Sequence, residues 1–462
     1  MHYRLLLPFL LTCSTYAQES APFPPPKKLE ALAGNGAHLE RTLHLLATST
    51  PAKKNTVKVL FYGQSITEQA WWKAVADDLR ARFPHANLII ENRAIGGHSS
   101  QLLVKTAEAD LYPFYPDLLI FHVYGSHIEY EKLIRAVRER TTAEVLLQND
   151  HVTKADAFTE ETDPAKITPA KWDPFMNYSF LPGISAKYGL HFCDQRTVWK
   201  QYLQDHSLEP SALLKDAVHL NRHGEFLMGE IVKAHLRQKP TSEAPAQPAV
   251  RTYEVGKDVR WENGKLALEF EGNRVDLIAS GETGAAVPVT INGRKPSEFP
   301  ELYGFTRTTV YPRTNWPCLL RVQSGKPLQL EEWTLTLKNV GGDVKAIAFD
   351  LVGSKTGADG SGVVGEKFVS KSGRVVIEPE DWNLDYCRKV HGPQLTEGFQ
   401  IKWQVVNHFA DEFAAPTGQP EIENTRTVAQ GLPKGKHRFE IPGNASVPIS
   451  AIRIYTPPLL RE

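Results

Sequence analysis

The sequence predicts an α/β domain on a parallel sheet covered on both faces, followed by an all-β sandwich region. Three observations carry this. From Asn55 to about Gln238 short apolar strands alternate with helical stretches, the pattern of a parallel sheet with crossover helices. "KPTSEAPAQPAV", residues 239–250, then reads as a linker. Beyond it the pattern changes to short alternating runs such as "KLALEFEG", "EEWTLTLKN" and "HRFEIPG", spaced by Gly, Asn and Pro turns.

In chain order, "MHYRLLLPFLLTCSTYAQES" has one arginine, a short apolar run and small residues before Gln18, the pattern of a secretory signal over residues 1–17. The run is too short to span a bilayer. Export to the periplasm or the medium is the expectation. A lipid anchor at Cys13 is a weaker reading, because threonine is a poor residue before a lipidated cysteine. Residues 18–54 form a proline-rich lead-in ("APFPPPKKLE") and a helix expected over Leu29 to Ser49.

The catalytic candidate is the alternating region, residues 55–238, with strands expected at Val57–Tyr62, Leu88–Glu91, Leu118–Val123, Val145–Gln148 and His191–Asp194. After the first strand comes an amphipathic helix whose core face reads Trp72, Val75, Ala76, Leu79 and Phe83; Trp71 is expected to pack rather than to serve as a sugar platform. The β region spans residues 251–462, as one domain with an insertion or as two, with "GADGSG" (Gly357 to Gly362) a splitting point or a loop.

The composition narrows the partners. Lys+Arg and Asp+Glu both number 53, so there is no net basic surface for nucleic acid or an anionic membrane. Past the signal only Cys193, Cys318 and Cys387 remain, which is no disulfide framework. They leave room for one bridge, Cys318 to Cys387, that nothing in the sequence requires. No His/Cys cluster has zinc spacing, so neither metal nor cofactor is implied.

In an open parallel sheet the functional crevice lies beyond the carboxyl ends of the strands. The first strand runs into Gly63-Gln64-Ser65, the second into "NRAIGGHSS", the third into "VYGSHIEYE", the fourth into Asp150-His151, and "DAVHLNRHG" precedes the last helix. A serine on such a corner reads either as a helix cap or as a nucleophile. A nucleophilic serine needs a base, and the base an anionic partner that fixes its tautomer. His219 and Asp216 are the residues that could supply them. The Ser65 and Gly97 backbone N–H groups are candidates for an oxyanion hole, since a glycine turn lets the main chain approach closely.

These blocks resemble the SGNH (GDSL-like) hydrolases. "GQSIT" is similar to the family's first block with Ser65 as nucleophile, "NRAIGG" to the second with Gly97 as donor, and "DAVHLNRHG" to the last with Asp216 and His219. The resemblance covers residues 55–238 and implies a flavodoxin-like sheet. The third block departs from the family's Gly-x-Asn-Asp: the chain has Gly125-Ser126-His127, which makes His127 the candidate third donor. Gln64, Glu68, His98, Asp150 and His151 are candidate substrate contacts.

The leading expectation is an exported serine esterase that removes acetyl groups from a poly- or oligosaccharide. The sugar rests on export and on a likeness of the β region to the sandwich modules that accompany SGNH carbohydrate esterases. Two alternatives stay open. One is a glycosidase on the same sheet, using a pair from Glu68, Glu129, Glu131 and Asp150 about 5 to 9 Å apart. The other is a non-catalytic glycan-binding protein.

Overall fold

A computed structural model describes residues 23–27, 29, 37–237, 248–281, 285–310, 316–391, 395–418 and 421–460. The signal segment with Cys13, residues 30–36 of the expected lead-in helix and residues 239–247 of the linker lie outside the described residues. Of that lead-in helix the described residues give Glu40–Ala47 (α1), whose first N–H groups, on Arg41 and Thr42, donate to the Glu144 carboxylate at 2.8 Å each.

The α/β part is built on five parallel strands, β1 (Thr56–Gly63), β2 (Asn87–Asn92), β3 (Leu118–His122), β4 (Glu144–Gln148) and β5 (His191–Cys193). Their order, β2-β1-β3-β4-β5, is the flavodoxin-like one, with its switch point between β1 and β3. Alternate residues of each strand serve opposite faces. Leu60, Tyr62, Leu119, Phe121, Val145 and Leu147 pack on one side. Val57, Val59, Phe61, Leu118, Ile120 and Leu146 pack on the other, with Trp199, Leu227 and Ile231.

After β1 the helical stretch is broken in two, Ser65–Glu68 (α2) and Trp71–Arg82 (α3), because Gln69 is extended (φ −63°, ψ 155°). Trp71, not Trp72, is the fully buried indole, with Val75, Ala76 and Leu79, while Trp72 and Phe83 pack at the margin. The Trp71 indole N–H donates to Ile66 O at 2.6 Å.

In the β region, strands from both ends of the segment form two facing sheets. Thr290–Ile291, Lys436–Pro442, Lys265–Glu271 and Trp261–Glu262 make one, and Thr425–Gln430, Arg274–Ala279, Ile449–Tyr455 and Val250–Glu254 the other. Leu266, Phe439, Val275, Leu277 and Ile452 fill the space between. The intervening chain builds a separate five-stranded antiparallel sheet from Tyr303–Phe305, Gln400–Asn407, Glu332–Lys338, Ala348–Gly353 and Gly357–Val363.

"GADGSG" is therefore neither a splitting point nor a loop but an edge strand. Its glycines allow that: a side chain at Gly362 would meet the Phe349 ring at 2.6 Å and the Phe368 ring at 2.8 Å. This inserted sheet shares a continuous core with the α/β part. Arg307 fastens the two through Asp110, at 2.8 and 2.7 Å. Cys318 and Cys387 are buried neighbours with free thiols.

No helix among the described residues is long and apolar enough to cross a membrane.

Candidate active site

Strand β1 ends where it can carry no side chain. A Cβ on Gly63 would stand 2.1 Å from His122 O and 2.5 Å from Thr67 Oγ1. The chain then turns, Gln64 O accepts from Thr67 N and Glu68 N at 2.8 and 3.1 Å, and Ser65 opens α2. His219 Nε2 lies 2.9 Å from Ser65 Oγ, and His219 Nδ1 lies 2.9 Å from Asp216 Oδ2. A carboxylate only accepts, so Nδ1 carries a proton; in the neutral imidazole Nε2 is then the nitrogen that accepts from the Ser65 hydroxyl.

Asp216 and His219 sit on the loop that precedes the last helix. Lys215 N–H donates to His219 O at 2.9 Å and Asn221 N–H to Leu213 O at 3.1 Å, which closes the loop. Asn221 then caps α8, the helix Arg222–Leu236 in a count that takes in Ser100–Asp110 (α4), His127–Arg140 (α5), Leu181–Tyr188 (α6) and Gln195–Asp205 (α7). Asp216 Oδ1 accepts from the N–H groups of His219 and Val218 at 2.8 and 2.9 Å. Those two bonds, more than the imidazole, hold its pKa down to about 2. The carboxylate is charged at any ordinary working pH.

Residues that the sequence did not single out hold this loop against α2. The Gln69 amide clamps Leu220 on both backbone groups, donating to its carbonyl at 2.8 Å and accepting from its N–H at 2.9 Å. The extended backbone that breaks the helix is what frees this side chain to do so. Asn92 plays a similar part for the second block: it donates to Thr67 O at 2.7 Å and accepts from Ala94 N at 2.9 Å. A lone amide beside a nucleophile has no pattern by which to be recognised.

The "IGGH" turn faces the serine. A Cβ on Gly96 would come within 3.7 Å of Ser65 Cβ and 2.5 Å of Glu68 Oε2. Ile95 N–H is anchored on Gly63 O at 3.0 Å, and His98 N–H closes the turn onto Ile95 O at 3.1 Å. Gly97 has φ 74°, which only glycine adopts without strain. Two side chains of the inserted region cover this turn. The Trp316 indole N–H donates to Gly96 O, and a Cβ on Gly97 would meet Tyr386 Oη at 2.6 Å.

Of the expected substrate contacts, His98 and His151 are corrected. His98 is 0% exposed, and burial, outweighing the opposing pull of the nearby Gly96 backbone, lowers its pKa to about 4. His151 is 1% exposed, and burial likewise pulls it to about 4. Its Nε2 lies 2.9 Å from Val218 O, so that nitrogen bears the proton and steadies the base loop from beneath. Arg196 donates to His151 O at 3.1 Å and is itself forked onto Glu160 at 2.7 and 2.8 Å.

Asp150 is engaged inside the protein, with His122 Nε2 at 3.1 Å and Asn177 Nδ2 at 3.2 Å. Gln64 is buried at the corner and Glu68 is half-buried over Gly96. His127 is the first residue of α5, its ring set among Phe175 and Phe180 at 5.4 Å and Trp172 at 5.6 Å. Its imidazole makes no hydrogen bond among the described residues. A cavity of about 810 Å³ lies elsewhere, between the α/β part and the β region, lined by Tyr112, Arg140, Arg307 and Arg321 but by no residue of the serine corner.

No family model matches the sequence, and no curated protein matches it. Solved structures do. An acetylxylan esterase from Geobacillus stearothermophilus aligns with 42% of this chain and 100% of its own at 17% identity, TM-score 0.34. A two-domain esterase active on acetylated mannans covers 92% of this chain and 98% of its own at 14% identity, TM-score 0.34. An alpha/beta hydrolase from the metagenome of Lake Arreo, Spain, covers 39% of this chain and 94% of its own at 18% identity, TM-score 0.32. The chemistry follows from this chain's own geometry.

Proposed function

We propose that the chain is an exported SGNH-type serine esterase that removes acetyl groups from a poly- or oligosaccharide. The observation that carries it is the unbroken line Asp216–His219–Ser65, with 2.9 Å at each step, at the carboxyl end of a parallel sheet. Ser65 Oγ attacks the acyl carbon while its proton passes to His219 Nε2, and Asp216 stabilises the imidazolium. The carbonyl oxygen becomes an oxyanion facing the Ser65 and Gly97 N–H groups, with His127 as the third donor. Collapse of this intermediate breaks the ester bond, and the sugar alkoxide leaves with the proton from His219. Water repeats the sequence on the acyl-serine and releases acetate.

The carbohydrate is supported by the secretory N-terminus and the appended sandwich. Three of the four carboxylates of the glycosidase alternative have other partners: Glu129 bonds Lys132 at 2.8 Å, Glu131 bonds Lys187 at 2.7 Å, and Asp150 bonds His122.

The deciding experiment treats acetylated xylan and mannan with the protein and follows acetate and glycan length separately. Acetate release without shortening is expected, and a serine-directed phosphonate should label Ser65. Ser65→Ala should fold normally and lose about 10⁴- to 10⁶-fold in kcat. An active, unlabelled Ser65→Ala protein would end the esterase reading.

A further inference from the structure

We propose that Trp316, a residue of the inserted β region, is a positioning residue for the oxyanion hole: its indole N–H fixes which way the Gly96–Gly97 peptide faces. The inference rests on the esterase reading of Ser65 and Gly97. In a trans peptide the carbonyl and the following N–H point in opposite directions, and the chain has no cis peptide bond among the described residues. Holding Gly96 O to one side therefore presents the Gly97 N–H to the other.

The turn cannot make this choice unaided. Its closing bond, His98 N–H to Ile95 O, is common to the two main turn types, which differ by reversal of the central peptide. With glycine at both central positions, neither orientation is sterically excluded. The observed φ of 74° at Gly97 belongs to the type II orientation. A reversed peptide would aim a carbonyl dipole where the oxyanion must develop.

The geometric hydrogen bond that holds the observed orientation is the Trp316 N–H on Gly96 O, beside the His98 ring. That indole is rigidly held. It is 8% exposed and packs on Tyr386 with ring centroids 4.4 Å apart. The segment after it is tied to the helix carrying Tyr386: Asn383 Nδ2 donates to Pro317 O at 3.1 Å, and Asn383 N–H to Cys318 O at 3.0 Å. Reversing the peptide would cost the buried indole N–H its bond to Gly96 O. Among the described residues the Gly97 N–H has no hydrogen-bond partner, so it is available to the developing charge.

The test is Trp316→Phe in the full chain, assayed on 4-nitrophenyl acetate and on acetylated xylan. Loss of one oxyanion donor costs about 10² to 10³ in kcat, and loss of its orientation should cost about tenfold to a hundredfold. KM should stay within about twofold, and phosphonate labelling of Ser65 should slow in parallel, because the adduct's oxygen uses the same hole. Should the smaller ring disturb folding, benzothienylalanine at position 316 has the indole's shape without its N–H and is expected to show the same loss. Wild-type kcat in either folded variant overturns the proposal. So does a loss confined to KM on the polysaccharide, which would make Trp316 a glycan contact. With Ser65→Ala run alongside, an inactive serine variant beside fully active Trp316 variants would sink only this inference, whereas an active Ser65→Ala would sink the esterase reading itself.

Discussion

Replacing Gln69 by alanine separates the base from the nucleophile without touching either. Gln69 makes two short bonds, at 2.8 and 2.9 Å, to the carbonyl and N–H of Leu220, the residue next to His219, and a longer one at 3.3 Å to Glu225 Oε1. Leu220 is 1% exposed, so water does not readily replace the amide. Two hydrogen bonds at about 1 kcal/mol each, with a further penalty of about 1 kcal/mol or more for stranded backbone groups, give a loss of about 2 to 4 kcal/mol. The loop remains closed by Lys215 N–H on His219 O, so Gln69→Ala should fold. His219 would then be free to drift from Ser65, and a displacement of about 1 Å can cost about 10²-fold in rate. The assay is urea unfolding together with kcat and KM on 4-nitrophenyl acetate. Gln69→Met, which fills the same space but makes neither bond to Leu220, should fall with Gln69→Ala in both. If Gln69→Ala keeps kcat within twofold and an unchanged urea midpoint, the clamp does not position the base.

Arg307→Ala would leave the Asp110 carboxylate, 4% exposed in its side chain, without its cation; removing one partner of a buried pair costs about 3 to 5 kcal/mol, seen as a lower urea midpoint. At Glu160 burial works to raise the pKa, but bonds from Arg196, Lys200 and Tyr178 outweigh it and hold the value down to about 2. Its contribution should therefore be complete above about pH 4.5 and fade as the pH falls through 2, so Glu160→Gln should flatten the stability profile in that window. A profile parallel to wild type would show that these partners do not act on it. His127→Ala should lower kcat with little change in KM if the imidazole donates to the oxyanion, and an effect on KM alone would make it a substrate contact.

Local pattern was enough to read the sheet. Strands β1 to β5 are apolar runs bounded by polar turns, and each was recognisable within a residue or two. Ser65, Gly97, Asp216 and His219 were legible because each sits in a short block whose residue types answer a chemical need. The break at Gln69 was not, since one extended residue leaves the helical periodicity almost intact. Nor was the glycine-rich strand Gly357–Val363, where the rings of Phe349 and Phe368 leave no room for a side chain at Gly362.

By itself, then, the sequence determined the α/β-then-β organisation and the residues of the serine corner, because these depend on contacts between near neighbours and on chemistry confined to short blocks. Tertiary structure alone decided how that corner is held. His98 and His151 look in sequence like residues lining a crevice, yet both are buried, and His151 instead supports Val218 from 67 residues away. Gln69 reaches Leu220 across 151 residues, and Trp316 reaches Gly96 across 220. Such partners leave no periodicity or spacing in the chain. A hydrogen bond between distant segments exists only once the packing of two cores has set their separation and orientation.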